Sequence, residues 1–489
     1  MNLLTHIGRS VLIAGAVVSL LSGCGGGSSH SADSATGSGN PLNGFWQAVG
    51  YGKIAWIDNT HITFYDYTQA SCLVNERLDD VDEEDFERFF DLGSDGILAL
   101  IEDGTPTFHA PSLRFQPIAG LPELCKTPSV QAGEAGYQQD WFSDYEIFWQ
   151  TFSDYYLSFE LKGVDWYSVR QQALTNLQDS MTQAAFLDVL YQSVQPLKDG
   201  HIAITSSDGQ EVSFENKPSF ISTLVQEAIT QYNIAQPLSD ADIETINTYV
   251  GEQLELSAEI ITSYAESEVK SAANGNINWF KQGNIGYLEI SGMQDFAAGD
   301  EFPASELAAI EQAMQTVLSD MSDTAGLIVD IRSNVGGNDY ASMKLFSYFI
   351  QNEQLMFSKQ ARLGASKTAL KEVRVLPANV TYHQPIVLLT SNTTASAAEV
   401  FTVGMRALPN VTLIGESTQG EFSDALEKRL PSGIVFTLSN EFYYTPEGEW
   451  LEHQGVAVDI EVPYLDRAQR QAEEDLGIET AYALLTGQL

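Results

Sequence analysis

The sequence predicts a multidomain α+β protein, and three contrasts in its patterning support this. The chain has 489 residues, which leaves room for several domains. Residues 45–67 alternate in polarity and are rich in aromatics, which indicates strands of a small antiparallel β domain. Residues 138–199 carry aromatics at spacings of three and four, which indicates helices. From Ile277 onward, short buried strands alternate with helical stretches, which is typical of an α/β core.

The composition is that of a globular protein with an unusual net charge. Hydrophobic residues make up 44% of the chain and charged residues 18%, but the net charge at pH 7 is −42. Such a charge argues against nucleic acid and against an anionic membrane surface as partners. It is compatible with a protein that stays soluble outside the cytoplasm.

The first residues indicate a targeting signal. Arg9 gives a weakly basic start, and the apolar run 10–21 is too short to span a bilayer. The following Leu21-Ser-Gly-Cys24 resembles a bacterial lipobox, in which the cysteine is lipidated and becomes the first mature residue. We therefore expect attachment to the membrane through Cys24 only, in the bacterial cell envelope. Gly25 in place of Asp fits the outer membrane, facing the periplasm or the surface; the alternative is an ordinary signal peptide with a chance cysteine.

Two further cysteines are left, Cys72 and Cys125. An even number of cysteines in an exported protein favours a disulfide, and two free thiols are the alternative. Neither cysteine lies near the candidate catalytic stretch described below, which argues against cysteine catalysis.

Shifts in composition predict the boundaries of the chain's parts. We expect a signal peptide (1–23), a flexible Gly/Ser-rich tether (24–42), a small β domain (43–130), a helical domain (138–205), a helical linker region (206–275), an α/β core (276–465) and a C-terminal helix (466–489).

Residues 385–404 contain the stretch on which the chemistry of the chain depends. Residues 385–390 predict a buried strand, and a helix is expected from Ala395. Ser396 lies in the turn between them, where unused backbone N–H groups surround it. This position suits a nucleophile, but Ser396-Ala-Ala-Glu399 also fits a capping box, and this stretch alone does not decide between them.

Four motifs occur in a fixed order, and together they are more specific than any one of them. They are Asp330-Ile-Arg-Ser-Asn-Val-Gly-Gly337, Thr394-Ala-Ser-Ala-Ala-Glu399, Gly415-Glu-Ser-Thr-Gln-Gly420 and Glu452-His-Gln-Gly-Val-Ala-Val-Asp459. Over residues 138–465 the chain resembles the superfamily of carboxyl-terminal processing (tail-specific) proteases and the tricorn core. The resemblance implies a crotonase-like, layered β/α core, serine-type hydrolysis of peptides or proteins, and no metal or organic cofactor.

Two catalytic schemes exist among these relatives, and the sequence favours the second. Processing proteases use a Ser–Lys dyad whose lysine follows the Gly-x-x-Thr-x-Gly turn, but this chain has Glu421 there. Lys428 is nearby in sequence but at the wrong motif position. The tricorn-like branch takes its histidine from a Leu-x-Asp-x-His turn, matched by Leu197-Lys-Asp-Gly-His201, and its glutamate from the place of Glu452.

The resemblance assigns a role to each residue. Ser396 is the nucleophile and His201 the general base, since imidazole titrates near the working pH. Glu452 orients the imidazole, directly or through an intermediary. The N–H groups of Gly337 and Ala397 form the oxyanion hole.

Two more positions are expected to line the substrate cleft. Gly336 lets the backbone approach closely, since it has no side chain. Glu421 is expected to line the cleft, where it would favour a basic group on the substrate, or to cap a turn.

Several alternatives stay open at this point. His453 adjoins Glu452 and is a rival base, and Gly200 replaces the serine that precedes the histidine in the tricorn core. A Ser-only or Ser–Lys428 enzyme is a further possibility. An inactive envelope protein that binds peptides in a retained protease cleft is the alternative from another functional class.

Overall fold

The structure is a computed structural model that describes residues 40–82, 86, 90–100, 113–207, 209–298 and 304–489. The predicted signal peptide (1–23), Cys24 and nearly all of the tether (24–42) lie outside these described residues. Within the described ranges, no helix is both long enough and apolar enough to cross a bilayer.

The elements are numbered in chain order over the described residues. The strands of the first half are β1 (Gly44–Ala48), β2 (Lys53–Asp58), β3 (His61–Tyr67), β4 (Cys72–Leu78), β5 (Phe90–Leu92), β6 (Leu98–Leu100), β7 (Arg114–Ile118), β8 (Ala203–Thr205), β9 (Glu211–Ser213), β10 (Lys270–Ala272), β11 (Ile277–Gln282) and β12 (Ile285–Ile290). The later strands are β13 (Gly326–Asp330), β14 (Gln354–Leu363), β15 (Ser366–Lys367), β16 (Lys371–Val375), β17 (Ile386–Thr390), β18 (Val411–Gly415), β19 (Ala425–Arg429), β20 (Val435–Ser439), β21 (Glu441–Tyr444) and β22 (Ile460–Glu461). The helices are α1 (Trp141–Tyr155), α2 (Phe159–Lys162), α3 (Trp166–Asn176), α4 (Gln183–Val194), α5 (Phe220–Gln231), α6 (Asp240–Ser263), α7 (Ala304–Asp320), α8 (Asp339–Phe346), α9 (Ala397–Arg406), α10 (Arg467–Ala472) and α11 (Leu476–Leu485).

The N-terminal part forms an antiparallel sheet, as predicted. Its seven strands lie in the order β4-β3-β2-β1-β7-β6-β5. The aromatic-rich run 45–57 folds into a hairpin of β1 and β2, because Gly50 and Gly52 adopt positive φ angles in the turn. A disulfide joins Cys72 at the start of β4 to Cys125 in a short 3₁₀ turn.

The helical region is confirmed, but a distant hairpin completes its core. The aromatic stripe of α1 is buried, and the rings of Phe148 and Phe152 pack against Phe436 of β20, with centroids 4.9 and 5.9 Å apart. Strand β20 also pairs with β8, in a four-stranded sheet of order β19-β20-β8-β9. The segment after α4 is therefore held by residues more than 200 positions further along the chain.

The α/β core is a layered sheet, as the alternation of strands and helices predicted. Its strand order is β10-β11-β12-β13-β17-β18-β22. The last five strands in this order, from β12 to β22, run parallel to one another. Leu388 of β17 faces a core shared with α7, α8 and α9, whereas Val387 and Leu389 face one shared with α5, α6 and α11. Helices cover both faces, so the central strands β13 and β17 are buried along their whole length and mainly apolar.

The parallel order brings three loops to one edge of the sheet. The loops that follow β13, β17 and β18 start at the carboxyl ends of adjacent strands. In open α/β sheets this edge is where ligands bind. The Gly-Gly motif, Ser396 and the turn before Glu421 lie on these three loops.

Two parts of the fold differ from the expectation. The strands β14–β16 and β19–β21 were not predicted. The C-terminal region, expected as one helix, is two: α10 ends at Glu473 in a left-handed conformation, and the side chain of Asp475 caps the start of α11.

Candidate active site

Ser396 lies in a sharp turn between β17 and α9. Its backbone has φ 54° and ψ −127°, a region that a residue with a side chain seldom adopts. Its side chain makes no capping hydrogen bond, so the capping-box alternative is wrong. The carboxylate of Glu399 instead accepts hydrogen bonds from the backbone N–H groups of Gly420 and Glu421, both at 2.7 Å.

The glycine loop packs directly against this turn. A Cβ atom at Gly336 would lie 2.7 Å from the Cβ of Ser396, so only glycine fits there. Asn334 holds the loop: its side chain donates to the Ile290 carbonyl and accepts from the Gly336 N–H, both at 2.9 Å. Its backbone carbonyl accepts from the N–H of Ala395 at 3.2 Å.

Two backbone amides beside Ser396 are free to bind an anion. Ala397 is the first residue of α9, and Gly337 follows the close approach of Gly336. Among the described residues, neither N–H donates a hydrogen bond to a protein group. The positive end of the α9 dipole strengthens such a site.

His201 is the side chain that meets Ser396. The distance between His201 Nε2 and Ser396 Oγ is 3.0 Å, across 195 residues of sequence. The preceding Asp199 is buried and fixes the turn, because its carboxylate accepts from the His201 N–H at 3.0 Å. The hydroxyls of Tyr156 and Ser439 donate to the same carboxylate, both at 2.9 Å.

A threonine of β20 holds the other side of the histidine. The Thr437 hydroxyl donates to the His201 carbonyl at 2.7 Å and accepts from the Ala203 N–H at 2.9 Å. The base is therefore positioned by the β8–β20 pairing as well as by its own turn.

The surroundings of His201 favour the neutral imidazole. Burial lowers the pKa of His201; Asp199 opposes this, and Lys162 lowers the pKa further. A neutral Nε2 at neutral pH is the form that can take the proton of a serine hydroxyl.

Comparison with known proteins finds similarity in the α/β core. Residues 284–462 match the model of Peptidase family S41. The carboxy-terminal processing protease CtpA of Bacillus subtilis is 26% identical over 213 residues, covering 42% of each chain. The carboxyl-terminal-processing protease of Synechocystis is 23% identical over 208 residues, covering 42% of this chain and 44% of its own. By homology, this core is of the serine type.

These matches cover less than half of each curated relative. A solved structure extends the likeness in fold: a candidate peptidase of Parabacteroides merdae, 21% identical, superposes with a TM-score of 0.55 over 71% of this chain and 97% of its own. Ser396 lies within the S41 match at 284–462, whereas His201 lies before it.

Glu452 makes no direct hydrogen bond to the histidine. It is buried, and its Oε2 accepts from the N–H groups of Phe422 and Ser423 at 3.1 and 3.3 Å. Its Oε1 and the Nδ1 of His201 are both buried without a hydrogen-bond partner among the described residues. Burial raises the pKa of Glu452 well above its ordinary value, and Asp199 adds to the effect.

Glu421, expected to line the cleft or to cap a turn, is buried against the turn that carries His201. The residue is 6% exposed, and its Oε1 accepts from the N–H groups of Gly200 and Asn216 at 2.8 and 2.9 Å. Burial raises the pKa of Glu421 to about 8, and the nearby Asp199 carboxylate adds to the effect.

The two rival bases are held elsewhere. His453 Nδ1 lies 3.0 Å from Lys162 Nζ, and no contact between His453 and Ser396 is found in the described structure. Lys428 is 3% exposed and donates to Asp66 at 2.7 Å and to the Gly52 carbonyl at 2.9 Å. A Ser–Lys428 dyad is therefore wrong for this conformation.

Three supporting residues were missed from the sequence. Asp199 lies inside the quoted motif and could have been given a role, but Thr437 and Asn216 carry no local signal. Within the described ranges, no group of three or more His, Cys, Asp and Glu residues is arranged to hold a metal ion.

Proposed function

We propose that this chain is a serine peptidase of the bacterial cell envelope that hydrolyses peptide bonds through an acyl-enzyme. The observation that carries the proposal is the 3.0 Å contact of His201 Nε2 with Ser396 Oγ, beside two amides without partners. The S41 match and the names of the curated relatives support a peptide or protein substrate, with processing at the carboxyl terminus as the class of reaction.

The steps follow from the geometry. Ser396 Oγ attacks the scissile carbonyl while its proton passes to His201 Nε2. The tetrahedral oxyanion lies between the N–H groups of Gly337 and Ala397, and losing one such donor typically costs a factor of ~10² to 10³. Collapse breaks the C–N bond, and His201 returns the proton to the leaving amine. Water then attacks the ester, with His201 as the base, which releases the acid and the serine.

Glu452 acts through an intermediary in this proposal. Its Oε1 and the Nδ1 of His201 are both buried polar atoms without a hydrogen-bond partner among the described residues. A water molecule that accepts from Nδ1–H and also forms a hydrogen bond with Oε1 would satisfy both atoms and would fix the tautomer. We expect Glu452→Gln to lower kcat less than His201→Ala does.

The anchor belongs to the same proposal. Lipid on Cys24 would attach the protein to the membrane, and residues 25–41 are Gly- and Ser-rich, as expected for a tether. Cys24→Ser in the full chain should move the protein from the membrane fraction to the soluble fraction. Protein that stays in the membrane fraction would contradict the anchor.

The test of the activity is direct. Purified full-length protein should hydrolyse a library of unstructured peptides, and Ser396→Ala should remove that hydrolysis while the thermal midpoint stays near that of the wild type. Equal hydrolysis by both proteins would overturn the proposal. Tight peptide binding by the wild type without hydrolysis would support the inactive binding protein instead.

A further inference from the structure

Glu421 connects the two halves of the site. Its backbone carbonyl accepts from the N–H of Ser396 at 2.9 Å, and its own N–H donates to Glu399 on α9 at 2.7 Å. Its side chain reaches the other way, to the N–H of Gly200 at 2.8 Å, next to His201. One residue thus contacts the nucleophile through its backbone and the base-bearing turn through its carboxyl group.

Gly200 fits this contact and nothing else in the turn requires a glycine. Its φ lies outside the left-handed region, so its backbone would accept another residue. A Cβ atom there would lie 2.6 Å from Cδ of Glu421 and closer still to Oε2. The side chain of Glu421 therefore occupies the space that a side chain at position 200 would need.

We propose that Glu421 is a positioning residue that fixes the His201 turn against the Ser396 turn, and that Gly200 is present because Glu421 fills its side-chain space. The inference rests on the proposed function, since it names what brings the base to the nucleophile. A lysine at position 421 would bring N–H donors to the N–H donors of Gly200 and Asn216, so it could not make these contacts.

The protonation of Glu421 agrees with this role. Burial raises its pKa to about 8, so near neutral pH the group is mainly the neutral acid, whose carbonyl oxygen accepts both N–H bonds. A glutamine has the same shape and the same acceptor. It should therefore replace glutamate here, whereas alanine should not.

Two substitutions at position 421, one conservative and one not, test the positioning role. In peptide hydrolysis at neutral pH, Glu421→Gln should keep kcat within about 3-fold of the wild type. Glu421→Ala should lower kcat about 10²-fold with KM changed less than 3-fold, because a base displaced by ~1 Å costs a factor of this order. Wild-type kcat in Glu421→Ala, or equal losses in both variants, would overturn the proposal.

A double-mutant cycle tests the contact. Gly200→Ala should lower kcat about 10²-fold and lower the thermal midpoint, whereas Gly200→Ala in the Glu421→Ala background should add no further loss. Losses that multiply would overturn the steric coupling. If Gly200→Ala does not fold alone but folds in the Glu421→Ala background, the coupling is supported; if it folds in neither background, the coupling is overturned.

Failure of the proposed peptidase function can be distinguished from failure of the contact between Glu421 and Gly200. Wild-type protein without Ser396-dependent hydrolysis would overturn the catalytic role of Glu421 together with the proposed function. The thermal midpoints of the same cycle would then still decide whether Glu421 and Gly200 compete for space.

Discussion

The turn that carries Ser396 and the turn that carries His201 are held in different ways. The Ser396 turn joins β17 to α9 within one sheet, and its neighbouring loop follows the adjacent strand β13. The His201 turn is held by β20 and by Glu421, which lie more than 200 residues away in sequence. The nucleophile is therefore positioned by the α/β core itself, whereas the base depends on contacts between distant segments.

The support of the base extends to the N-terminal sheet. Strand β20 pairs with β19, and Lys428 of β19 is bonded to Asp66 of β3. The hydroxyl of Tyr155 on α1 also donates to the Tyr67 carbonyl at 2.9 Å. The β domain thus contacts and stabilises the hairpin on which the His201 turn rests, which gives it a structural role.

The largest expected effect is the loss of either member of the reacting pair. Ser396→Ala and His201→Ala should each lower kcat by about 10⁴-fold or more, and the double variant should be no worse, because the two groups act as one unit. His453→Ala is the matched control and should keep kcat within about 3-fold. Full activity of His201→Ala would show that the base is elsewhere.

The second expected effect is on stability rather than on chemistry. Lys428→Met should lower the free energy of unfolding by about 3 kcal/mol, because it leaves Asp66 as a buried charge with a weaker partner. Chemical denaturation measures this. Lys53→Met removes the other, more exposed partner of Asp66, at 3.2 Å, and should cost about 1 kcal/mol or less. Equal losses in the free energy of unfolding for the two variants would contradict the larger stabilising contribution of Lys428.

A smaller effect is expected from the threonine beside the histidine. Thr437→Val keeps the shape of the side chain but removes the hydroxyl that joins the His201 carbonyl to the Ala203 N–H. We expect kcat to fall about 10-fold, with a loss of roughly 1 kcal/mol in stability. Thr205→Val, on the neighbouring strand β8, is the control and should leave kcat unchanged. A similar fall in both variants would mean that Thr437 has no specific positioning role.

The smallest expected effect is a shift in the pH profile of kcat/KM. Neutral His201 is the active form, so kcat/KM should fall as the pH drops through the pKa of His201, which lies below its ordinary value of about 6.5. Lys162 lowers that pKa, so Lys162→Gln should raise it and move the acid limb to higher pH. Lys198→Gln makes the same change of charge and should not move the limb. An unmoved limb in Lys162→Gln would contradict the assignment.

The Ser396 side of the site was predictable from the sequence, and the His201 side only in part. Ser396, Gly336 and Gly337 lie in short motifs that follow predicted strands. These strands are adjacent and parallel, so the loops after them lie side by side at one edge of the sheet. The alternative of a capping box is excluded because Ser396 adopts a positive φ and Glu399 faces the next loop.

The contacts of His201 could not be predicted in the same way. The resemblance supplied His201 through its turn motif, but the packing of Glu421 against Gly200 joins residues 221 positions apart and leaves no periodic pattern. From the sequence, Glu421 was expected to line the cleft or to cap a turn, and no local pattern decided between the two. Its buried position depends on the N–H groups of Gly200 and Asn216, which reach its Oε1 only in the folded chain.

Labelling with a fluorophosphonate tests the central claim most directly, because the probe reacts only with a serine whose proton has an acceptor. Intact full-length protein should be labelled at Ser396, as mapped by mass spectrometry, at a rate that rises with pH through a pKa below about 6.5. Labelling should be lost in His201→Ala and retained in His453→Ala. Absence of labelling in the wild type at any pH, or undiminished labelling in His201→Ala, would contradict activation of Ser396 by His201.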